Sequence, residues 1–352
     1  MEISGIGSTA KRAMLLIAFF IFVTQVGLRW ETATDWTSYR NHFEQEHTWA
    51  SVLLNVAIGF ELGYGILVWF VHGISENYTV FLLIHALIFY ILIVKTSNQL
   101  GYYPVLTLML FYAIMIGFTG SNRQLLALAI CLSSLKYAIN KQLTQFLLCI
   151  FLAALFHTSA LLFSIYYLLN RDLKRRTIFI LITISILVGF SSVPSSAFNS
   201  IAGIFGETFK FKAEFYLDDS NHGPVDLSAF GLIRRIVVLF IGLCLYRPII
   251  KRAPTFRVFF NGYLVGLIFY FMFANSLLIL VSRGSLYFSV MEAFILASVP
   301  VALKDDLSKK IALGALFLYS IVAFYQSINT YPDLFIPYKG IFINNDYDRT
   351  LY

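Results

Sequence analysis

About eleven apolar runs of near membrane-spanning length follow one another along the chain, and this repetition restricts its fold most strongly. Only 13% of the 352 residues are charged, whereas a soluble domain carries about a quarter. The chain is therefore predicted to be an all-α polytopic membrane protein. The expected spans cover residues 13–28, 79–95, 103–119, 124–139, 142–156, 158–170, 177–192, 230–247, 257–281, 285–303 and 311–328.

The organisation between the runs is simple. No long polar segment interrupts them, so a single integral-membrane domain is predicted over residues 1–352. Residues 1–10 are too polar for a signal peptide, and none is expected. The two runs beside His157 are short, and they can also form one bent hairpin. The three cysteines lie within apolar runs, which favours small core residues over disulfide or metal partners.

The charged residues predict the orientation. With the N-terminus in the cytoplasm, alternating the spans places sixteen of the 26 lysines and arginines inside, as the positive-inside bias requires. Residues 171–176 and 247–257 carry eight of these sixteen. Fourteen of the 19 acidic residues then lie outside. The net charge of +7 is mostly explained by this topology, and nucleic acid is not expected as a partner.

Three segments are predicted to lie on the outer face, at residues 29–78, 191–229 and 329–352. Part of the first, residues 49–74, is apolar enough to span. However, Glu61, glycines and His72 interrupt it, and a span there would invert all later charges. One or two helices lying at the membrane interface are predicted instead.

Ten basic residues break the positive-inside pattern. They are Arg29, Arg40, Arg123, Lys210, Lys212, Arg234, Arg235, Arg283, Lys339 and Arg349. Arg123, the pair at 234–235 and Arg283 are each predicted at the start of a helix that runs inward, where the helix end is already positive. An anion bound between these arginines would explain such placement, and the arginine fork suits phosphate. The alternative is that each arginine reaches lipid phosphates or pairs with a loop carboxylate.

Several other groups are candidates for proton transfer. His157, in FHTSALLF, can act as base, acid or hydrogen-bond donor, or be a structural histidine. Asp35 lies four residues before Tyr39, so a helix would place both on one face. Glu61 lies in an apolar context. Glu292 falls within a span, where it is either functional or paired with a basic or hydroxyl neighbour.

At these residues the chain resembles the EpsG-type branch of the Wzy polysaccharide polymerases, which includes O-antigen polymerases. The elements that carry the resemblance are Arg29 with Asp35 and Tyr39, Glu61-Leu-Gly-Tyr64, Asn122-Arg123-Gln124, Phe156-His157-Thr158-Ser159-Ala160, and Arg283 with Tyr287-Phe288. The Phe-His-x-Ser-Ala element is the most specific. The first loop departs from the family, because it reads RWETATDW instead of a compact Gly-Asp-Tyr.

The resemblance implies a membrane glycosyltransferase of GT-C-like architecture that joins undecaprenyl-diphosphate-linked glycans at the periplasmic side of the bacterial inner membrane. It implies no cofactor or metal. Arg123, Arg235 and Arg283 would hold the leaving diphosphate, and His157 or Asp35 would accept the acceptor proton. Membrane lipids, a chain-length regulator and a flippase are the expected partners. The further substrate-binding candidates are Arg29, Tyr39, Arg40, Glu61, Tyr64, Gln124, Ser159, Arg234, Tyr287 and Tyr338.

Three other functions remain open from the sequence. They are a membrane O-acyltransferase that modifies a surface glycan, a transporter of polyprenyl-linked glycans, and an O-antigen ligase. A transporter favours internal repeats and charge at mid-membrane, whereas the charge here concentrates at one rim. No nucleotide-binding loop, zinc spacing or Gly-x-Ser-x-Gly motif supports an ATP-driven or nucleophile-elbow mechanism.

Overall fold

The described part of the protein is built from helices. In the computed structural model it comprises residues 7–45, 48–57, 59–204, 229–277 and 280–349, and within these residues only isolated β-bridges occur besides helices and turns. The chain divides into two compact units. The first unit contains residues 1–167 and 296–352, and the second unit contains residues 168–295. The single integral-membrane domain stays a prediction.

The helices, in chain order, are α1 (Ser8–Gly27), α2 (Trp36–Gln45), α3 (Trp49–Ala57), α4 (Leu62–His72), α5 (Tyr78–Leu100), α6 (Pro104–Met115), α7 (Asn122–Ile139), α8 (Leu143–Ala154), α9 (Arg175–Gly189), α10 (Val193–Ile204), α11 (Ala229–Ile250), α12 (Phe256–Phe273), α13 (Leu286–Ser289), α14 (Met291–Ala297), α15 (Val299–Ala302) and α16 (Asp306–Ile328). The 3₁₀ segments are Ile116–Phe118, Thr158–Leu168 and Pro332–Leu334, and a π-helical segment is Leu280–Gly284.

In the first unit, α5 lies between α1 and α7, α8 packs on α7, and α16 packs on α6. Local chemistry sets several helix starts. The Asn77 side chain accepts the N–H of Thr79 at 2.8 Å and begins α5, and Asp305 caps α16 by accepting the N–H of Ser308 at 2.7 Å. Pro104 occupies the first turn of α6, where an N–H is not needed.

In the second unit, α12 packs against both α9 and α11. The Asn261 amide, in α12, donates to the carbonyl oxygens of Leu169 and Arg171, both at 2.7 Å. At the other end of α9, Asn275 donates to the carbonyl oxygen of Gly189 at 3.3 Å. Side-chain amides therefore fix both ends of the α9 segment to the chain around α12.

Each predicted span contains helix, which confirms the helical membrane-type chain. The span predicted at 285–303 is divided into the short helices α13, α14 and α15, and the helix within 257–281 ends at Phe273. By length and composition, five described helices are able to cross a membrane alone, namely α1, α5, α11, α12 and α16. The remaining apolar segments are shorter. The number of eleven spans and the GT-C-like architecture stay predictions.

The predicted outer segment at residues 29–78 is mostly helical. The segment contains three helices, α2, α3 and α4. The last two lie within residues 49–74, where one or two helices were predicted. Gly59 separates the last two of them with a φ of 106°, a conformation that favours glycine. In the segment at 191–229, the structure describes α10, whereas residues 205–228, with Lys210 and Lys212, lie outside the described residues.

Segments predicted on the same side of the membrane meet in the first unit. On the predicted outer side, Trp30 donates its backbone N–H to the carbonyl oxygen of Lys339, in the C-terminal tail, at 2.9 Å. On the predicted inner side, the Lys141 ammonium donates to the Tyr167 carbonyl oxygen at 3.1 Å, and the Tyr167 hydroxyl donates to the Lys141 carbonyl oxygen at 3.0 Å. These contacts agree with the predicted alternation, and the orientation itself stays a prediction.

Candidate functional site

An ion pair between Arg123 and Glu61 forms the centre of the candidate site in the first unit. Arg123 is the second residue of α7, and its Nη1 donates to Oε2 of Glu61 at 2.6 Å. Its Nε–H donates to the Tyr39 hydroxyl at 3.3 Å, and its guanidinium lies 4.6 Å from the centre of the Phe60 ring. The two charged side chains are only 21% and 12% exposed, so solvent and salt screen them less than a surface pair.

Glu61 also joins the start of α4 to the segment that carries His157. Its Oε1 accepts the backbone N–H of Thr158, the first residue of the 3₁₀ segment, at 3.2 Å. Two residues later, the N–H of Gly63 donates to the Leu155 carbonyl oxygen at 2.7 Å. A Cβ at position 63 would lie 2.8 Å from that oxygen, so this approach requires glycine. The carboxylate therefore contacts a cation on one side and a helix N-terminus on the other.

The ring of His157 is part of the same junction. Its Nδ1 lies 2.6 Å from the Ser159 hydroxyl oxygen and accepts the Ser159 backbone N–H at 3.3 Å. Because Nδ1 accepts a backbone N–H, the proton of the neutral ring lies on Nε2. Ser159, predicted as substrate-binding, thus contacts His157 and orients its ring. The arrangement makes Nε2–H a hydrogen-bond donor.

Arg29, predicted to bind substrate, is buried and only 2% exposed. Its guanidinium donates to the carbonyl oxygens of Val26 at 2.6 Å and Thr119 at 3.0 Å, and to the Asn122 side chain at 2.9 Å. Burial lowers the pKa of Arg29. His85 bonds to the Asn122 carbonyl oxygen at 2.9 Å. Arg29 therefore fixes the turn that precedes Arg123, and its buried position does not suit direct contact with a glycan.

Two tyrosines predicted to bind substrate, Tyr39 and Tyr64, are engaged within the protein. Tyr64 is fully buried, with its ring centre 5.6 Å from that of Tyr39 and 5.9 Å from that of Phe81. A sugar cannot stack on Tyr64 in this arrangement, and the buried Tyr39 uses its hydroxyl to bind Arg123. The sequence did not reveal this packing, because the pattern of apolar residues in a short helix does not show whether a side chain faces the membrane interface or the protein core.

His42 is a neighbour of this cluster that the sequence analysis missed. Its ring stacks on Phe60 with centres 4.2 Å apart and an angle of 8° between the planes. Burial, together with the charge of Arg123, lowers the pKa of His42 to about 4. The ring is therefore neutral at ordinary pH. No signal marked it, since the segment RNHFEQEH is polar and only the fold buries His42.

Asp35 immediately precedes α2, and Arg40 lies in the second turn of that helix. The Arg40 Nε donates to Glu44 at 2.6 Å, and its guanidinium lies 5.3 Å from the Trp30 ring centre. Asp35 precedes the helix, and its carbonyl oxygen accepts the N–H of Tyr39 at 3.1 Å, which is the helical spacing predicted for this pair. Asp35 is partly exposed, and its backbone nitrogen lies close to the turn before Arg123.

Two further predicted residues of the first unit are bound within the fold. Gln124 is 4% exposed. The hydroxyl of Tyr338 donates to the Gln25 carbonyl oxygen at 2.8 Å, at the end of α1. The Tyr338 hydroxyl is therefore occupied by a backbone contact.

The predicted residues of the second unit lie around α11 and the π-helical segment. Arg234 and Arg235 lie in the second turn of α11, which starts at Ala229 among the described residues, and not in its first turn as predicted. The Nε of Arg234 is 3.5 Å from Glu292, so the predicted alternative of a basic partner for this acid is realised. Arg235 donates to the Gly231 carbonyl oxygen and lies 4.3 Å from the Tyr270 ring centre.

Arg283 and Tyr287 complete the set in the second unit. Arg283 is exposed within the π-helical segment, and Tyr287 is fully buried in α13. Arg123 belongs to the first unit, whereas Arg235 and Arg283 belong to the second. Their convergence on one anion stays a prediction.

The first-unit cluster offers four functional groups, namely a guanidinium, a carboxylate, an imidazole donor and the N-terminus of a 3₁₀ segment. Among the residues that the structure describes, no group of three or more His, Cys, Asp and Glu side chains is placed to hold a metal ion. Positive charge close to a partly exposed surface suits the binding of an anion such as a phosphate ester.

Comparison with known protein families gives a match over most of the chain. The EpsG family matches residues 12–340, nearly the whole chain. No curated protein and no solved structure matches the chain.

Proposed function

Since this chain belongs to the EpsG family, as its sequence predicted, we propose that it joins undecaprenyl-diphosphate-linked oligosaccharide repeat units at the periplasmic face of the bacterial inner membrane. Family membership and the long apolar helices indicate a multi-pass membrane protein with a polysaccharide polymerase-type function. The Wzy-type reaction, the lipid carrier and the side of the membrane belong to the proposal. The observation that supports it best is the Arg123–Glu61 pair bonded to the start of the His157 segment.

In the proposed reaction, a hydroxyl of the acceptor glycan forms a bond to the anomeric carbon of the donor glycan. The bond from that carbon to the diphosphate oxygen breaks, and undecaprenyl diphosphate leaves with the electron pair. The hydroxyl proton passes to a base. Such a step needs cationic donors at the leaving group and a carboxylate or imidazole near the acceptor, and no nucleotide sugar.

Arg123 is the proposed ligand of the leaving diphosphate. Glu61 and Tyr39 occupy its Nη1 and Nε, and among the described residues its Nη2 makes no hydrogen bond. The side chain remains 21% exposed. These contacts hold the guanidinium in one orientation before substrate binds, which reduces the reorganisation needed in the transition state. Arg235 and Arg283 are proposed to add further positive charge.

Asp35 is the proposed base, and His157 the proposed donor. Both carboxylate oxygens of Glu61 already accept hydrogen bonds, and Nδ1 of His157 accepts from Ser159. The Asp35 carboxylate makes no hydrogen bond among the described residues and is partly exposed. His157 would then bind the diphosphate through Nε2–H. Flippase and chain-length regulator are proposed as partners in the same membrane, since the lipid-linked substrate must be delivered and the product length set.

A deletion strain tests this function against its alternatives. Loss of a polymerase leaves surface lipid that carries single repeat units, loss of a ligase leaves lipid without glycan, and loss of an acyltransferase leaves chain length unchanged. We expect single repeat units on a gel, with the ladder restored by the wild-type chain but not by Arg123→Gln. An unchanged ladder in the deletion strain would exclude the proposed activity.

A further inference from the structure

A cavity of about 260 Å³ lies in the second unit, at the end where residues 171–176 and 247–257 meet. It is lined by the beginning of α9, the end of α11 and the first half of α12. Its apolar walls come from Ile178, Leu243, Ile250 and Phe260. The polymerase proposal does not use this cavity, because the sequence places these basic segments on the side opposite to the outer arginines.

The cavity is positively charged. Lys174, Arg175 and Arg247 line it, and none of them has a carboxylate partner among the described residues. The one acid in the lining is Asp172, whose side chain accepts hydrogen bonds from the Tyr246 hydroxyl and from Arg257, each at 2.8 Å. These two bonds lower the pKa of Asp172. The acid is therefore ionised but already paired, and three cations remain for an external anion.

The start of α9 adds to this charge. Lys174 is the residue before the helix, it provides no side-chain cap, and the first turn contains no acidic residue. The first N–H groups of a helix have no partner within the helix and carry partial positive charge. Basic side chains at this position oppose the helix dipole, and a bound anion would offset that cost.

A buried acceptor identifies a second requirement of the ligand. The Asn261 Nδ2 donates to two backbone carbonyl oxygens, of Leu169 and Arg171, which fixes the orientation of the amide. Its Oδ1 is buried and accepts no hydrogen bond among the described residues. Asn261 is one of the residues that line the cavity. Asn261 is only 1% exposed. A buried oxygen without a donor is costly, so a ligand that brings a hydroxyl would be favoured.

We infer that this cavity binds a phosphate ester that carries a free hydroxyl, with the phosphate near Lys174, Arg175 and Arg247 and the hydroxyl near Asn261. The apolar walls favour a membrane lipid, with phosphatidylglycerol as the headgroup that has both features. Basic cavities between spanning helices are suited to anionic headgroups. The same chemistry also exists in a soluble glycerol phosphate, which the experiment distinguishes.

The test measures the melting temperature of the purified full chain in a non-ionic detergent during titration with phosphatidylglycerol. Parallel titrations use phosphatidylmethanol, which has the phosphate but no hydroxyl, and sn-glycerol 1-phosphate. We expect phosphatidylglycerol to raise the melting temperature at lower concentration than phosphatidylmethanol. A response to phosphatidylglycerol alone assigns the site to a lipid, and an equal response to glycerol 1-phosphate assigns it to a soluble ester.

Substitutions connect the response to the cavity. Lys174→Gln, Arg175→Gln and Arg247→Gln, alone and together, should each weaken the lipid response roughly fivefold per charge removed. The matched control removes three cations of the same two segments that do not line the cavity, with Arg171→Gln, Lys251→Gln and Arg252→Gln. Equal loss in both sets, or none in the single cavity variants, would overturn the assignment. Equal responses to phosphatidylglycerol and phosphatidylmethanol would exclude the hydroxyl contact.

Discussion

Glu61 lies 62 positions before Arg123 in the sequence, yet its Oε2 is 2.6 Å from the Arg123 Nη1. Both side chains are mostly buried, so the loss of one leaves the other as a buried charge without its partner. We expect Glu61→Gln and Arg123→Gln each to reduce the free energy of unfolding by about 2 kcal/mol, as for charged hydrogen bonds. The double variant should lose less than the sum of the two. Unfolding in mixed micelles measures this, and strictly additive losses would show that the pair does not stabilise the fold.

His157 offers a test that separates its two hydrogen-bonding atoms. In His157→Gln the amide N–H can take the place of Nε2–H, whereas in His157→Asn the side-chain oxygen can take the place of Nδ1 and still accept the Ser159 N–H. If Nε2–H donates to the diphosphate, Gln should retain at least about tenfold more polymerisation than Asn or Ala. Chain-length gels of strains with equal protein levels measure it. Equal activity of Asn and wild type would assign His157 a structural role.

The sequence predicted the outer location of these residues but not their partners. Apolar periodicity and the distribution of lysines and arginines are local properties of the sequence, and they predicted where the helices lie. The pairing of Arg123 with Glu61, and the burial of Tyr64, depend on how α4 and the residue before it pack in the fold. The burial of Arg29 depends on how the end of α1 meets the turn before α7. No spacing rule carries that information. The same limit explains why His42 and Phe60 were missed.

Arg29 and Arg40 are both predicted on the outer face, but only Arg29 is buried. Arg29 donates three hydrogen bonds to oxygens of Val26, Thr119 and Asn122. We expect Arg29→Gln to reduce the free energy of unfolding by about 3 kcal/mol, since buried acceptors lose their donor. Arg40→Gln, the control, removes an exposed pair with Glu44 and should change it by about 0.5 kcal/mol or less.

Polymerisation activity should also fall more in Arg29→Gln than in Arg40→Gln. Arg29→Lys keeps the positive charge but not the fork of donors, and it should restore little of the loss. Wild-type stability and normal polymer length in the Arg29 variants would contradict the role of Arg29 in positioning the turn before Arg123.

His42 predicts a specific pH dependence of stability. Burial and the charge of Arg123 lower its pKa from 6.5 to about 4 in the folded protein. Between these two values the unfolded chain binds a proton at this ring that the folded protein does not, so the free energy of unfolding falls as the pH is lowered from 6.5 to about 4. His42→Phe keeps a stacked ring without titration, and its stability should fall less over this window. Parallel pH profiles of the two proteins would contradict the shifted pKa.

The most direct test of the proposed function uses the purified protein in liposomes that contain undecaprenyl-diphosphate-linked repeat units, with product length and released carrier measured together. The wild-type chain should yield polymer and one undecaprenyl diphosphate per bond formed. Arg123→Gln and Asp35→Asn should each reduce the rate by at least about a hundredfold, whereas Arg40→Gln should retain it. Polymer formation at the wild-type rate by a folded Arg123→Gln protein would contradict the account.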